Sequence, residues 1–217
     1  MLFVLLLFGG AGLRAQNALS ITTDVSGLYS FTPDQRFFTV GQTIQANFHI
    51  TKKQSAYVLV CYYLEGKSRH TLTAVARDPF TMPQSISYTV NSKQRFQQIS
   101  TGFKHYLKGT YDNEASWNLY GMAGFGLLFG KATNEHSQSI DTSRYLVPQK
   151  AIAGTGYFKR LTFDLGAGGE MMLGTGIYLY GETRTWIQAS DYPSPYLYNN
   201  DVPSTLSLSL GIRILIH

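Results

Sequence analysis

The sequence predicts an all-β chain: eight antiparallel strands closed into a transmembrane β-barrel, with short turns at one end and longer loops at the other. Three observations carry this. Large apolar residues recur at every second position in segments of about a dozen residues, the period of a half-buried strand. Charged residues are only 14% of the chain, beside 21 Gly, 15 Tyr and 13 Phe; soluble domains average about 25% charged. No stretch reaches the roughly 20 apolar residues that a spanning helix needs. A membrane crossing must then use strands, which satisfy their backbone in lipid only by closing into a barrel.

The elements follow in chain order. The apolar run from Leu2 to about Leu13, then Ala15-Gln16, has the length of a secretory signal, so residues 1–15 are expected to be a signal peptide and 16–217 the barrel. In 18–31, Leu19, Ile21, Val25, Tyr29 and Phe31 oppose Ser20, Thr22, Asp24, Ser26 and Ser30. In 37–50, Phe38, Val40, Ile44, Ala46, Phe48 and Ile50 form the greasy side. Residues 56–64 are apolar on both faces, which leaves their register open. Residues 97–107 alternate weakly through Ile99, Phe103 and Leu107. Clear stripes return at 117–130, 161–171 and 177–188. The final segment sets Leu206, Leu208, Leu210, Ile212, Ile214 and Ile216 against Ser207, Ser209, Gly211 and Arg213. This last strand is expected to pair with the first, because only closure abolishes sheet edges.

Links at 51–55, 108–115 and 173–176 are short, while those at 65–92, 131–157 and 190–203 are long; the first link on the long-loop side, 32–36, is a short exception. Short turns on one side and long loops on the other match bacterial outer-membrane barrels. Two aromatic levels are expected as interfacial girdles: Phe31, Phe37, Phe38, Tyr63, Phe129, Tyr157 and Phe158 above, and Phe48, Tyr57, Tyr106, Tyr111 and Trp117 below.

The segments at 117–134, 158–170 and 177–197 ("WNLYGMAGFGLLFGKATN", "FKRLTFDLGAGGE", "IYLYGETRTWIQASDYPSPYL") resemble the small OmpA/OmpX-like outer-membrane β-barrel domain proteins. That resemblance implies a Gram-negative outer-membrane location and short periplasmic turns. It also implies contact with outer-membrane lipid and lipopolysaccharide, and insertion by the barrel-assembly machinery. It does not imply a particular activity, since fold alone does not give function.

On the polar faces, Asp24, Lys104, Asp164, Glu170, Glu182, Arg184 and Arg213 are expected to point into the lumen. A small barrel is filled by its own side chains, and buried charges persist only when paired. A salt-bridged plug is therefore expected, with an ion or substrate path as the alternative. A hairpin turn near Gly174-Thr175 would set Gly166 opposite Arg184 and Gly168 opposite Glu182. The glycines would leave room for those long side chains, with Asp164 and Glu170 diagonal to the pair.

In the outer loops, Lys67, Arg69, Arg77, Lys159 and Arg160 are candidate contacts to lipopolysaccharide phosphates. "NEHSQSIDTS" supplies Glu135, His136, Ser137, Ser139 and Asp141, a composition that permits a lipid-modifying nucleophile–base set. A solvated loop is the plainer reading. The net charge of +5 is scattered, with no Lys/Arg run, so nucleic acid is excluded as a partner. A lone cysteine, Cys61, leaves no internal disulfide. The phosphate-loop echo in "GFGLLFGKAT" fails, because Phe125 and Ala132 occupy two required positions. No cofactor or metal is expected, and an enzyme is the less favoured reading. A structural or surface-interaction role is the expected function, with a lipopolysaccharide-modifying enzyme or a narrow channel as alternatives; the extracellular ligand stays open.

Overall fold

A computed structural model describes residues 18–33, 35–114, 117–147, 152–190, 194–197 and 202–216. The expected signal segment, Lys150, and most of the loop tip at 191–201 lie outside them.

Eight long strands form the wall: β1 (Leu19–Ser30), β2 (Phe37–Thr51), β3 (Gln54–Ala76), β4 (Ser85–Lys108), β5 (Asn118–His136), β7 (Gly154–Gly174), β8 (Ile177–Gln188) and β9 (Thr205–Ile216). A two-residue strand, β6 (Tyr145–Leu146), lies outside the ring and pairs with β3 at Val75 and Ala76. Every neighbour pairing is antiparallel, and β1 meets β9 from Leu19↔Ile216 to Ser30↔Thr205, closing the cylinder. Closure removes the unpaired edges that a flat sheet would expose.

The wall alternates inside and outside along each strand. The terminal stripe Leu206, Leu208, Leu210, Ile212, Ile214 and Ile216 is exposed on the outside, whereas Arg213 is fully buried within. Exposed large apolar residues recur on every long strand, among them Val25, Phe38, Val60, Phe103, Phe125, Leu161 and Ile187. Soluble monomers rarely leave contiguous apolar patches beyond a few hundred Å². Ten residue steps from Leu206 to Ile216, at about 3.3 Å each and tilted roughly 40°, span about 25 Å, the height of an outer-membrane apolar band.

Several strands outrun their expected bounds. The expected loop at 65–92 is mostly a hairpin, since β3 continues to Ala76 and β4 starts at Ser85. A bulge between Tyr63 and Gly66 hides this. Before it the odd positions Tyr57, Leu59, Cys61 and Tyr63 face inward; after it the even positions Ser68, His70, Leu72 and Ala74 do. One extra residue flips the side-chain phase. Beyond the bulge the outward face is Lys67, Arg69, Thr71 and Thr73, which carries no greasy stripe because no acyl chain lies against it. For the same reason β5 runs on to His136 and β7 begins at Gly154.

The two aromatic levels are only half external. Phe31, Phe38, Tyr157, Phe48 and Trp117 are exposed outside, but Phe37, Tyr63, Phe158, Tyr57 and Tyr106 are buried within. Both sets are aromatic; strand phase decides which of them meets lipid.

Candidate functional site

The barrel interior is stacked in layers. At the end with the short turns, Glu170 is the hub. Arg213 donates Nε and Nη2 to its two carboxylate oxygens at 3.0 and 2.8 Å. Asn118 Nδ2 adds a third bond at 3.1 Å, and Lys104 Nζ lies 4.0 Å away. The cations also use ring faces: Arg213 sits 3.9 Å from the Tyr178 centroid and Lys104 3.5 Å from that of Tyr120. A fork-shaped guanidinium matches a carboxylate bidentately and stacks on an aromatic ring at once.

The turn after β4 folds beneath this layer as a floor. Tyr111 C=O accepts Arg213 Nη2 at 2.7 Å, and its ring stacks on His49 at 4.1 Å. His49 is held between Ser55 Oγ at 2.7 Å and Ser20 Oγ at 2.9 Å. Gly109 adopts φ 78°, and a Cβ there would meet Asn118 Oδ1 at 1.8 Å, so glycine is required to close the floor. Asp112 lies outside the membrane span. Partial burial raises its pKa, but the Thr110 hydroxyl, a backbone N–H and Lys52 outweigh this and hold the carboxyl below its ordinary range.

The middle layer holds the remaining acids. Arg184 donates to Glu182 on the same strand, and Tyr120 Oη donates to Glu182 at 3.1 Å. Asp24 accepts Tyr180 Oη at 2.8 Å and Thr43 N–H at 3.1 Å. Asp164 accepts Gln98 Nε2 at 2.8 Å and Thr162 Oγ1 at 2.9 Å. Above it the lumen turns apolar, a layer the alternation did not announce: Leu28, Phe37, Tyr63, Phe96, Phe158 and Trp186 pack together. Phe96 stands at the centre, 6.0 to 6.3 Å from the rings of Phe37, Trp186 and Phe158.

All seven expected lumen charges thus lie inside, but their partners differ from expectation. Glu170 pairs across the barrel with Arg213 and Lys104, not with the Glu182–Arg184 pair. Gly166 and Gly168 do stand opposite Arg184 and Glu182. The space they leave is filled from the other side: a Cβ on Gly168 would meet Tyr120 Oη at 2.5 Å, and one on Gly166 the Met122 Cγ at 2.8 Å. Arg160, expected at the surface, is 1% exposed and faces inward. The reason is again phase: Phe158, Arg160, Thr162 and Asp164 share the inner face of β7. With Arg160 the buried charged set becomes four acids (Asp24, Asp164, Glu170, Glu182) and four bases (Lys104, Arg160, Arg184, Arg213).

Outside, just beyond the apolar band, β3, β4, β5 and β7 carry a basic collar. Lys67 stands directly opposite Lys93, and Arg95 opposite Lys131. Lys159 lies on β7 beside Phe129, with Nζ 5.8 Å from the ring centroid. Glu135 neutralises Lys93 at 3.1 Å, and Arg95 turns down onto the Tyr62 ring and hydroxyl. Like charges facing each other across a ladder are unfavourable without a counter-ion. Arg77 belongs elsewhere: it sits at the β3–β4 hairpin tip, about 30 Å along the strand from Lys67 at about 3.3 Å per residue, with Nε on Thr142 C=O at 3.2 Å.

Three of the rim residues expected for a nucleophile–base set, Ser137, Asp141 and Glu135, hold the hairpin ends together. Ser137 Oγ accepts Thr89 N–H at 2.9 Å. Asp141 caps its own turn through Ser143 and pairs with Arg144 at 3.6 Å. Glu135 is the partner of Lys93.

No family model matches the chain, and no curated protein matches it in sequence. Solved structures do match. The attachment invasion locus protein Ail of Yersinia pestis, in complex with the heparin analogue sucrose octasulfate, aligns at TM-score 0.51 and 10% identity, covering 92% of this chain and 99% of that one. Neisserial surface protein A, NspA, aligns at 0.53 and 11%, covering 92% and 99%. The outer membrane protein OprG from Pseudomonas aeruginosa aligns at 0.53 and 8%, covering 93% and 96%. At these identities the likeness is one of fold: this chain has the fold of the small outer-membrane eight-stranded β-barrels.

Proposed function

We propose that this chain is an outer-membrane barrel of a Gram-negative envelope whose work is done on its outer and extracellular surfaces, in a structural or interaction role, rather than through its lumen. Export by segment 1–15 and insertion by the barrel-assembly machinery belong to this reading. The observation that carries it is the stacking inside the barrel: a floor, an ion-paired layer and an aromatic layer follow one another along the lumen. A channel would need a continuous polar path, and the Phe96 layer interrupts one. In planar bilayers the purified protein is expected to give no discrete conductance steps above those of protein-free membrane. Reproducible steps would reinstate the channel.

The basic collar supports lipopolysaccharide as the lipid partner. Its cations sit where phosphates of an outer-leaflet glycolipid would lie, and each such contact near an anionic surface is worth about 1 kcal/mol. Lys67, Lys131 and Lys159 are the most useful to remove. Their triple Gln substitution should lower co-purified lipopolysaccharide roughly tenfold or more, measured by lipid A mass analysis. A triple Gln change away from the collar, at Lys52, Lys53 and Lys108 near the short turns, should leave it unchanged.

A further inference from the structure

Above the bulge the outward face of β3 is polar through Lys67, Arg69, Thr71 and Thr73. At the top of the hairpin it turns apolar again. Val75 and its ladder partner Leu146 on β6 are each about half exposed. The turn joining β3 to β4 then presents Phe80 at 92% and Met82 at 78% exposure, and Phe80 is the most exposed large apolar side chain among the described residues. Single apolar residues scattered over a surface are ordinary; four gathered at one end of one hairpin are not scattered.

The turn is built to hold its shape. Phe80 N–H donates to Asp78 Oδ1 at 2.9 Å, and Thr81 N–H to Asp78 C=O at 3.0 Å. Gln84 Nε2 donates to the carbonyls of Pro79 and Thr81 at 2.6 and 2.9 Å. Tyr145 Oη donates to Pro83 C=O at 3.0 Å. Pro79 and Pro83 carry no N–H that would need a partner. Backbone without partners is excluded from hydrocarbon, and much of this backbone is already paired.

Its position keeps it from the membrane that anchors the barrel. From Lys67, just beyond the apolar band, the ladder with β4 continues to Val75↔Ser85, and β6 braces the top of β3. The turn thus stands about 30 Å along the strand from the collar, at about 3.3 Å per residue. Four side chains are too few for a protein interface of standard size, which takes about 20–30 residues from each partner. A bilayer needs no matching surface, only apolar side chains that enter its headgroup–acyl boundary by about 5–10 Å. Among the described residues at the base of the turn, Arg77 and Arg144 are matched by Asp78 and Asp141, so there is no net charge to select an anionic lipid.

We propose that the β3–β4 turn is a membrane-contact tip: Phe80 and Met82 enter a facing bilayer whose exposed leaflet is phospholipid. This rests on the reading that the protein works through its outer surface, and it names the partner as a lipid surface. Two side chains hold weakly, but many copies facing one bilayer add their contacts by avidity.

Cys61 is the only cysteine and is buried. Thr81→Cys therefore places an environment-sensitive NBD dye between Phe80 and Met82 and nowhere else. With the barrel held in nanodiscs, protein-free phosphatidylcholine vesicles should raise and blue-shift the emission saturably. Replacing them with phosphatidylglycerol vesicles, or adding roughly 0.5 M salt, should move half-saturation by less than about twofold. The Phe80→Ser/Met82→Ser double variant should weaken the response about tenfold or more. Its heat-dependent gel mobility should be unchanged, because both side chains already face solvent. No emission change with either vesicle would overturn the tip. So would a response confined to anionic vesicles and erased by salt, which is surface attraction, or one that survives the double variant. A folded, non-conducting barrel whose tip ignores vesicles sinks this proposal and leaves the outer-surface reading intact; discrete conductance steps would strike that reading instead.

Discussion

Replacing Arg213 with Ala lowers stability by about 3–5 kcal/mol, the cost of breaking a buried ion pair from one side. Glu170 would lose both of its short bonds to the guanidinium and keep Asn118 and a lysine 4.0 Å away. The floor would loosen too, because Tyr111 C=O loses its donor. Arg213 sits on β9 between Thr22 of β1 and Tyr178 of β8, so the damage falls at the seam that closes the cylinder. Urea unfolding of the protein in lipid vesicles, followed by gel mobility, measures it. The informative comparison is Lys104→Met. That change leaves the Glu170–Arg213 pair charge-balanced and should cost clearly less than Arg213→Ala. Equal losses for the two would show that Lys104 holds Glu170 as firmly as Arg213 does, and a larger loss for Lys104→Met would make Lys104 its main partner.

Phe96→Ala is the second large effect, at about 3–5 kcal/mol, the range for emptying a buried aromatic site. Phe96 is fully buried and touches three other rings, so no single neighbour can relax into the void. The distinguishing expectation is functional: bilayer conductance should stay absent. The Glu182–Arg184 and Asp164–Gln98 groups still block the lumen below it. If Phe96→Ala alone opened a channel, the polar layer would not be a seal, and closure would rest on the aromatics alone.

Much of the interior was legible residue by residue but not partner by partner. Asp24, Lys104, Asp164, Glu170, Glu182, Arg184 and Arg213 all occupy polar phases of strands whose other phase is greasy, and all are buried. Arg160 was missed because "YFKRL" offers no clean alternation: Lys159 and Arg160 are adjacent, and only strand phase tells which faces water. The inner phase could have been found by counting back in twos from Asp164 through Thr162. The apolar layer was missed because lumen aromatics and girdle aromatics have the same composition and the same depth.

Local period-two chemistry by itself determined the strand count, the lipid-facing stripe, and the pairing of the first strand with the last. Those are properties of single segments, or of closure itself. The tertiary structure alone decided that Glu170 meets Arg213 and Lys104, and that the hairpins rise beyond the membrane after a bulge. Contacts across a lumen depend on the register summed around the whole ring, and a one-residue shift in any one ladder re-aims every side chain on that strand.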